Sequence, residues 1–174
     1  MGPAGRRKHP ELTTVHHRPA AEPLTGWRYW QLQPATGRLR SVTHRRFEWR
    51  PGMALRAVCL LGGHDAPAPG CACGIHARPS LAELREEGLC LVPGEPLVAG
   101  EVALWGTVVA DDHGLRGELA APARLGLVTP EGQQPDQVAV GHLAAYGVPV
   151  DVLAPAEAMG QVAAAILAHQ AMSR

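Results

Sequence analysis

Residues 62–79 read GGHDAPAPGCACGIHARP, with three prolines, four glycines and no apolar period. Neither a helix nor a central strand tolerates that density of Pro and Gly. A structureless run of this length inside a compact domain is either functional or held by something. Its flanks are orderly. MALRAVCLL (53–61) reads as a strand that carries Cys59 near its end, and SLAELREEG (80–88) reads as a two-turn helix. Ser80 is its N-cap, Glu83 completes a capping box, and Gly88 is placed to stop it. Any fold for this chain must carry a long loop between that strand and that helix.

The loop and its approach hold five potential ligands, Cys59, His64, Cys71, Cys73 and His76, spaced C-x4-H-x6-C-x-C-x2-H. Tetrahedral zinc takes four thiolate or imidazole ligands. A bound ion would also fix a segment that no ladder holds. The sequence therefore nominates one zinc ion on Cys59, His64, Cys71 and Cys73, with His76 as the alternate. Cys-x-Cys also suits Cu(I) or part of an iron–sulfur site. A strained thiol redox pair is another reading, and cysteines that are merely small apolar residues are a third. Cys90, in the apolar LCLV (89–92), is assigned to the core. If water took one ligand's place, Asp65 or Glu101 would be the candidate general base. Phosphate-loop, nucleophile-elbow, dinucleotide and zinc-hydrolase motifs are all absent from the sequence. No catalytic residue is assigned, and the reading leans away from an enzyme.

The rest of the chain predicts strands more than helices. WRYWQLQ (27–33) and RLRSVTH (38–44) alternate around the turn PATG, FEW (47–49) is a short extended piece, and VAGEVALWGTVVA (98–110) is the strongest strand. DDHG (111–114) is a hairpin turn, and 115–128 returns antiparallel with an interruption at Pro122. Helices are expected over 136–146, capped by Asp136, and over 156–172, with VDVL (150–153) a short strand or linker. The fold class is α+β: an antiparallel core of five to seven strands, two or three short helices and the long Cys/His loop. Residues 1–25, aperiodic and rich in Pro, are expected to be a disordered basic tail, with a single domain over 26–174.

Charge and aromatic residues suggest a second site. Residues 1–50 carry ten basic and three acidic groups, a net of +7, and the remainder carries the opposite −7. A basic half can meet nucleic acid or an acidic protein surface, or it can fold back on its own acidic body. Five of the seven aromatic residues lie at 27–49, interleaved with arginines. Aromatic rings beside Arg are what a single-strand nucleic-acid platform uses, and filling one side of a small sheet is the alternative. On the first reading Arg28, Trp30, Arg40, Arg45, Arg46 and Trp49 form a nucleic-acid or partner-binding face.

Several strings together resemble a group of small actinobacterial and actinophage proteins. They are Trp49 to Gly52, Cys59, His64-Asp65-Ala66-Pro67, Cys71-Ala72-Cys73-Gly74, Gly100 to Val109, and Tyr146 to Val150. The resemblance covers about residues 26–150. In that group an aromatic residue often stands at the place of His76, which favours the other four as the functional set. It implies a real domain with a purposeful Cys/His loop and carries no reaction. No apolar run reaches membrane-spanning length and no signal-like segment opens the chain, so a cytoplasmic, reducing setting is expected.

The expectation is thus a non-enzymatic, zinc-stabilised binding or regulatory module. A metal- or thiol-dependent hydrolase or redox enzyme, and an assembly protein with incidental cysteines, are the alternatives.

Overall fold

A computed structural model describes residues 13–89 and 91–172. Its strands are β1 (Thr14–Arg18), β2 (Leu24–Leu32), β3 (Leu39–Ser41), β4 (Glu48–Trp49), β5 (Leu55–Arg56), β6 (Ile75–Ala77), β7 (Leu97–Asp111), β8 (Gly114–Val128) and β9 (Val150–Leu153). The helices are α1 (Leu81–Arg85), α2 (Gln137–Ala144), α3 (Pro155–Ala158) and α4 (Gln161–Met172). The architecture is α+β, as expected, although the nine described strands outnumber the expected five to seven. No helix among the described residues is long and apolar enough to cross a membrane.

The organising unit is the β7–β8 hairpin. Its two fifteen-residue strands meet at Asp111 and Gly114, where the Asp111 carboxylate accepts from the His113 N–H at 2.9 Å. β7 pairs with β2 along its first half and with β1 along its second. The other edge of β8 is shared in turn by β6, β5 and the parallel β9. An antiparallel bridge between Trp27 and Arg78 ties the end of β6 back to β2, so pairing runs in a circuit β2–β7–β8–β6–β2. Bulges interrupt the hairpin next to Val102 and Val108 and bend it. Gly106, at φ +73°, occupies the second bulge. At Gly100 a Cβ would lie 2.1 Å from the Arg124 carbonyl oxygen, so only glycine lets the two strands approach this closely.

Both faces of β2 are covered. Trp30 and Leu32 join Leu39, Trp49, Val102, Leu104 and Leu143 in one core. Tyr29 joins Leu84, Leu97, Ala99 and Met159 in the other. Such two-sided cover lets the adjacent Tyr29 and Trp30, on opposite faces of the strand, both be buried. Tyr146 fastens the end of α2 to the sheet, accepting from the Leu39 N–H and donating to the Trp49 carbonyl, both at 2.7 Å. Gln31, also buried, donates to the Val92 and Glu95 carbonyls and accepts from the Val92 N–H, clamping the turn before β7.

Three expectations are corrected. Residues 13–25, assigned to the tail, include β1 and the start of β2, because an edge strand needs only backbone groups and β7 offers them. The remainder of the expected tail, residues 1–12, lies outside the described residues, as does Cys90. Of the expected strand 53–61 only Leu55–Arg56 pairs with β8. Ile75 already holds Gly117 on that edge, so β5 stops after Ala57 donates to the Glu118 carbonyl at 2.7 Å. Helix α1 keeps its Ser80 cap, and Ser80 Oγ also bonds Glu83. Its C-cap is Glu86 rather than a glycine turn at Gly88.

Candidate metal centre

After β5 the chain crosses the open end of the sheet and returns as β6, and this excursion carries the cluster. Cys59, His64, Cys71 and Cys73 each bring a ligand atom within 4.8 Å of the others. Cys59 Sγ lies 3.9 Å from Cys71 Sγ, and His64 Nε2 lies 3.3 Å from Cys73 Sγ. A tetrahedral zinc with Zn–S bonds of about 2.3 Å sets its sulfurs about 3.8 Å apart. Three thiols and an imidazole at this spacing could hold a metal ion. The cysteines are free and half-buried, and His64 is exposed.

His76, the alternate, is not in the cluster. It lies on β6, and its Nε2 bonds the Ala72 carbonyl at 2.8 Å. That contact reaches the middle residue of the Cys-x-Cys turn and makes His76 a support for the loop rather than a ligand.

The loop is held from beneath by Arg116 of β8. Its Nη1 donates to the carbonyls of Ala68 at 3.3 Å, Cys73 at 3.0 Å and Cys71. Its Nη2 donates to Asp111 at 2.7 Å. Arg116 is buried and Asp111 is largely shielded, their side chains 5% and 10% exposed. A wrapped loop leaves carbonyls that no ladder satisfies, and one guanidinium collects three of them. Gly74, at φ +125°, lets the chain pass close above, where a Cβ would stand 3.0 Å from both Arg116 Cβ and Pro67 Cβ. Arg116 lies in the returning strand 115–128 and belongs to no recognisable motif. The one local signal of its role is Asp111, five residues earlier across the hairpin turn.

The electrostatics favour the thiolate at Cys71. The backbone N–H of Cys73, then its thiol, lower the Cys71 pKa from 9.0 to about 7. Desolvation raises that of Cys73. Cys71 is therefore the first of the pair to become the anion that a metal requires. Enclosure by the loop, together with nearby Arg28 and Arg116, lowers the pKa of His76.

The nominated binding face is corrected. Trp30 and Trp49 are buried, meeting edge to face with ring centroids 5.6 Å apart, so neither can stack a base. With so few aromatic residues in the chain, the core claims these two. Arg28 lies over both rings and donates to the His76 carbonyl at 3.2 Å and Ser41 Oγ at 3.1 Å. Arg40 is half-buried and pairs with Glu95 at 3.6 Å. Arg46 is exposed beside Phe47, and Arg45 is half-buried. Of the six, the two tryptophans go to the core, Arg28 braces it, and Arg45 and Arg46 stay at the turn before β4.

Comparison with protein-family models, with curated proteins and with solved structures finds no match to the chain.

Proposed function

We propose that this protein is a small non-enzymatic recognition module whose loop 59–73 is pinned by one structural zinc ion. The observation that supports this is the set of four ligand atoms within 4.8 Å of one another, in a loop whose Ala68, Cys71 and Cys73 carbonyls are collected by buried Arg116. Four protein ligands fill a tetrahedron and leave no position for water, which is the mark of a structural rather than a catalytic zinc site. Three thiols this close would pair in an oxidising compartment, so the reading implies a reducing, cytoplasmic setting. The resemblance to small actinobacterial and phage proteins fits such a module.

The partner side of the reading is an acidic surface met by the turn that carries His44, Arg45 and Arg46. A nucleic acid is the second candidate, reached through the same arginines and without the tryptophans. Cobalt substitution tests the metal assignment. Co(II) bound by three thiolates and an imidazole gives a strong sulfur-to-metal charge-transfer absorption that zinc displaces, whereas cobalt left as a hexa-aquo ion would refute the site. Salt dependence tests the partner: phosphate binding weakens steeply with salt, and Arg45/Arg46→Ala weakens it for every sequence.

A further inference from the structure

Behind the metal loop lies a cavity of about 260 Å³, which Cys59, Cys71 and Cys73 help to wall. Its polar side is basic. Arg28, His44, Arg56 and His76 line it, and no Asp or Glu among the described residues does. Arg56 is already engaged by Glu118 at 2.6 Å. Arg28 is not neutralised in this way: its hydrogen bonds go to a carbonyl and a hydroxyl, and its buried Nε has no partner. Glu87, the acid whose field reaches it, is bonded to Arg78 at 2.5 Å.

A guanidinium has five N–H donors and takes a carboxylate on two of them. A buried cation without a counter-charge is costly, and an arriving anion relieves that cost. The other walls are apolar. Phe47 and Leu55 line the interior, while Val58, Leu60 and Leu61 line it and are also exposed, Leu61 at 89%. Large apolar side chains grouped at the mouth of a cavity mark a ligand-binding surface.

We propose that this cavity binds a small monocarboxylate with an apolar body, its carboxylate on Arg28 and its body along Phe47, Leu55 and Leu61. One available guanidinium among apolar walls suits a monoanion better than a phosphate dianion. The site rests on the metal reading only in that the pinned loop forms one wall.

Calorimetric titration of the purified full-length protein with decanoate, decanol and inorganic phosphate tests it, with metal measured on the same sample. Saturable decanoate binding is expected, with decanol and phosphate each at least tenfold weaker. Leu61→Asp and Thr43→Glu change exposed lining residues and set an anion at the cavity, so each should weaken decanoate at least tenfold while the melting temperature holds. Arg28→Lys should weaken it as well, since the fork is lost. Equal binding of decanol, preference for phosphate, or indifference to both added carboxylates would overturn the proposal. Absence of binding by protein carrying one metal per chain would overturn it and leave the metal reading standing. Binding by metal-free protein would do the reverse.

Discussion

Arg116 and Asp111 sit at opposite sides of the β7–β8 turn, and their buried ion pair, 2.7 Å long, anchors a loop more than forty residues away. Asp111 neutralises the guanidinium from one side while the loop carbonyls occupy the other. The hairpin, the strongest element of the fold, thereby dictates where the cluster stands.

Removing one partner of such a pair strands the other charge in the interior. Arg116→Met should cost about 3–5 kcal/mol and lower the metal affinity. The double variant with Asp111→Asn should recover part of the stability, because no unpaired charge remains, but not the affinity, because the carbonyls stay uncollected. Urea denaturation with a chelator competition assay measures both. Equal stability of the single and double variants would contradict the buried-pair account.

Acid should reveal the same pair. Burial works to raise the Asp111 carboxyl, but the bond from Arg116 and the His113 N–H outweigh it and hold its pKa below 3.8. A carboxylate depressed in the folded state stabilises the fold above its unfolded value of about 4, and that contribution is lost as pH falls through the lower folded value. Asp111→Asn should therefore be less stable than the native protein at pH 7, with the gap closing below pH about 4. A gap constant from pH 7 to pH 3 in urea midpoints would refute it.

His64 separates metal holding from folding. It is exposed, and its Nε2 lies 3.3 Å from Cys73 Sγ. His64→Ala should leave metal-free stability within about 0.5 kcal/mol. Metal affinity should fall by more than the roughly 10- to 100-fold that loss of an outer-shell partner costs. Chelator competition and chemical denaturation, run side by side, check this.

Tyr146 tests the seam between α2 and the sheet. Its hydroxyl joins the Leu39 N–H to the Trp49 carbonyl in a buried position, so Tyr146→Phe leaves both unsatisfied at a cost of about 1–3 kcal/mol. Metal affinity should not change, since the seam lies away from the loop. A neutral effect on stability would mean that neither bond matters.

The cluster of Cys59, His64, Cys71 and Cys73 was legible because it is local: Cys and His declare themselves by type, and the Pro- and Gly-rich loop calls for something to hold it. Ser80 and Asp136 were legible as caps for the same reason, since each bonds N–H groups two or three residues on. Arg116 was not, because its partners are backbone carbonyls, which carry no residue identity. The strand β1 was hidden because TVHHR has no apolar alternation and pairs through its backbone alone. Trp30 and Trp49 were misplaced because their burial depends on Val102 and Leu104 of β7 and Leu143 of α2 sharing their core, which no local pattern states.

The central claim is that an ion holds the loop, and metal content with thermal melting tests it most directly. Protein prepared without a histidine tag, analysed by elemental mass spectrometry, should carry about one zinc per chain. A strong chelator should strip it and lower the melting temperature, and added zinc should restore both. Protein that folds without metal, melts at the same temperature with and without chelator, and shows Cys59, Cys71 and Cys73 fully reactive to a thiol reagent would contradict the account.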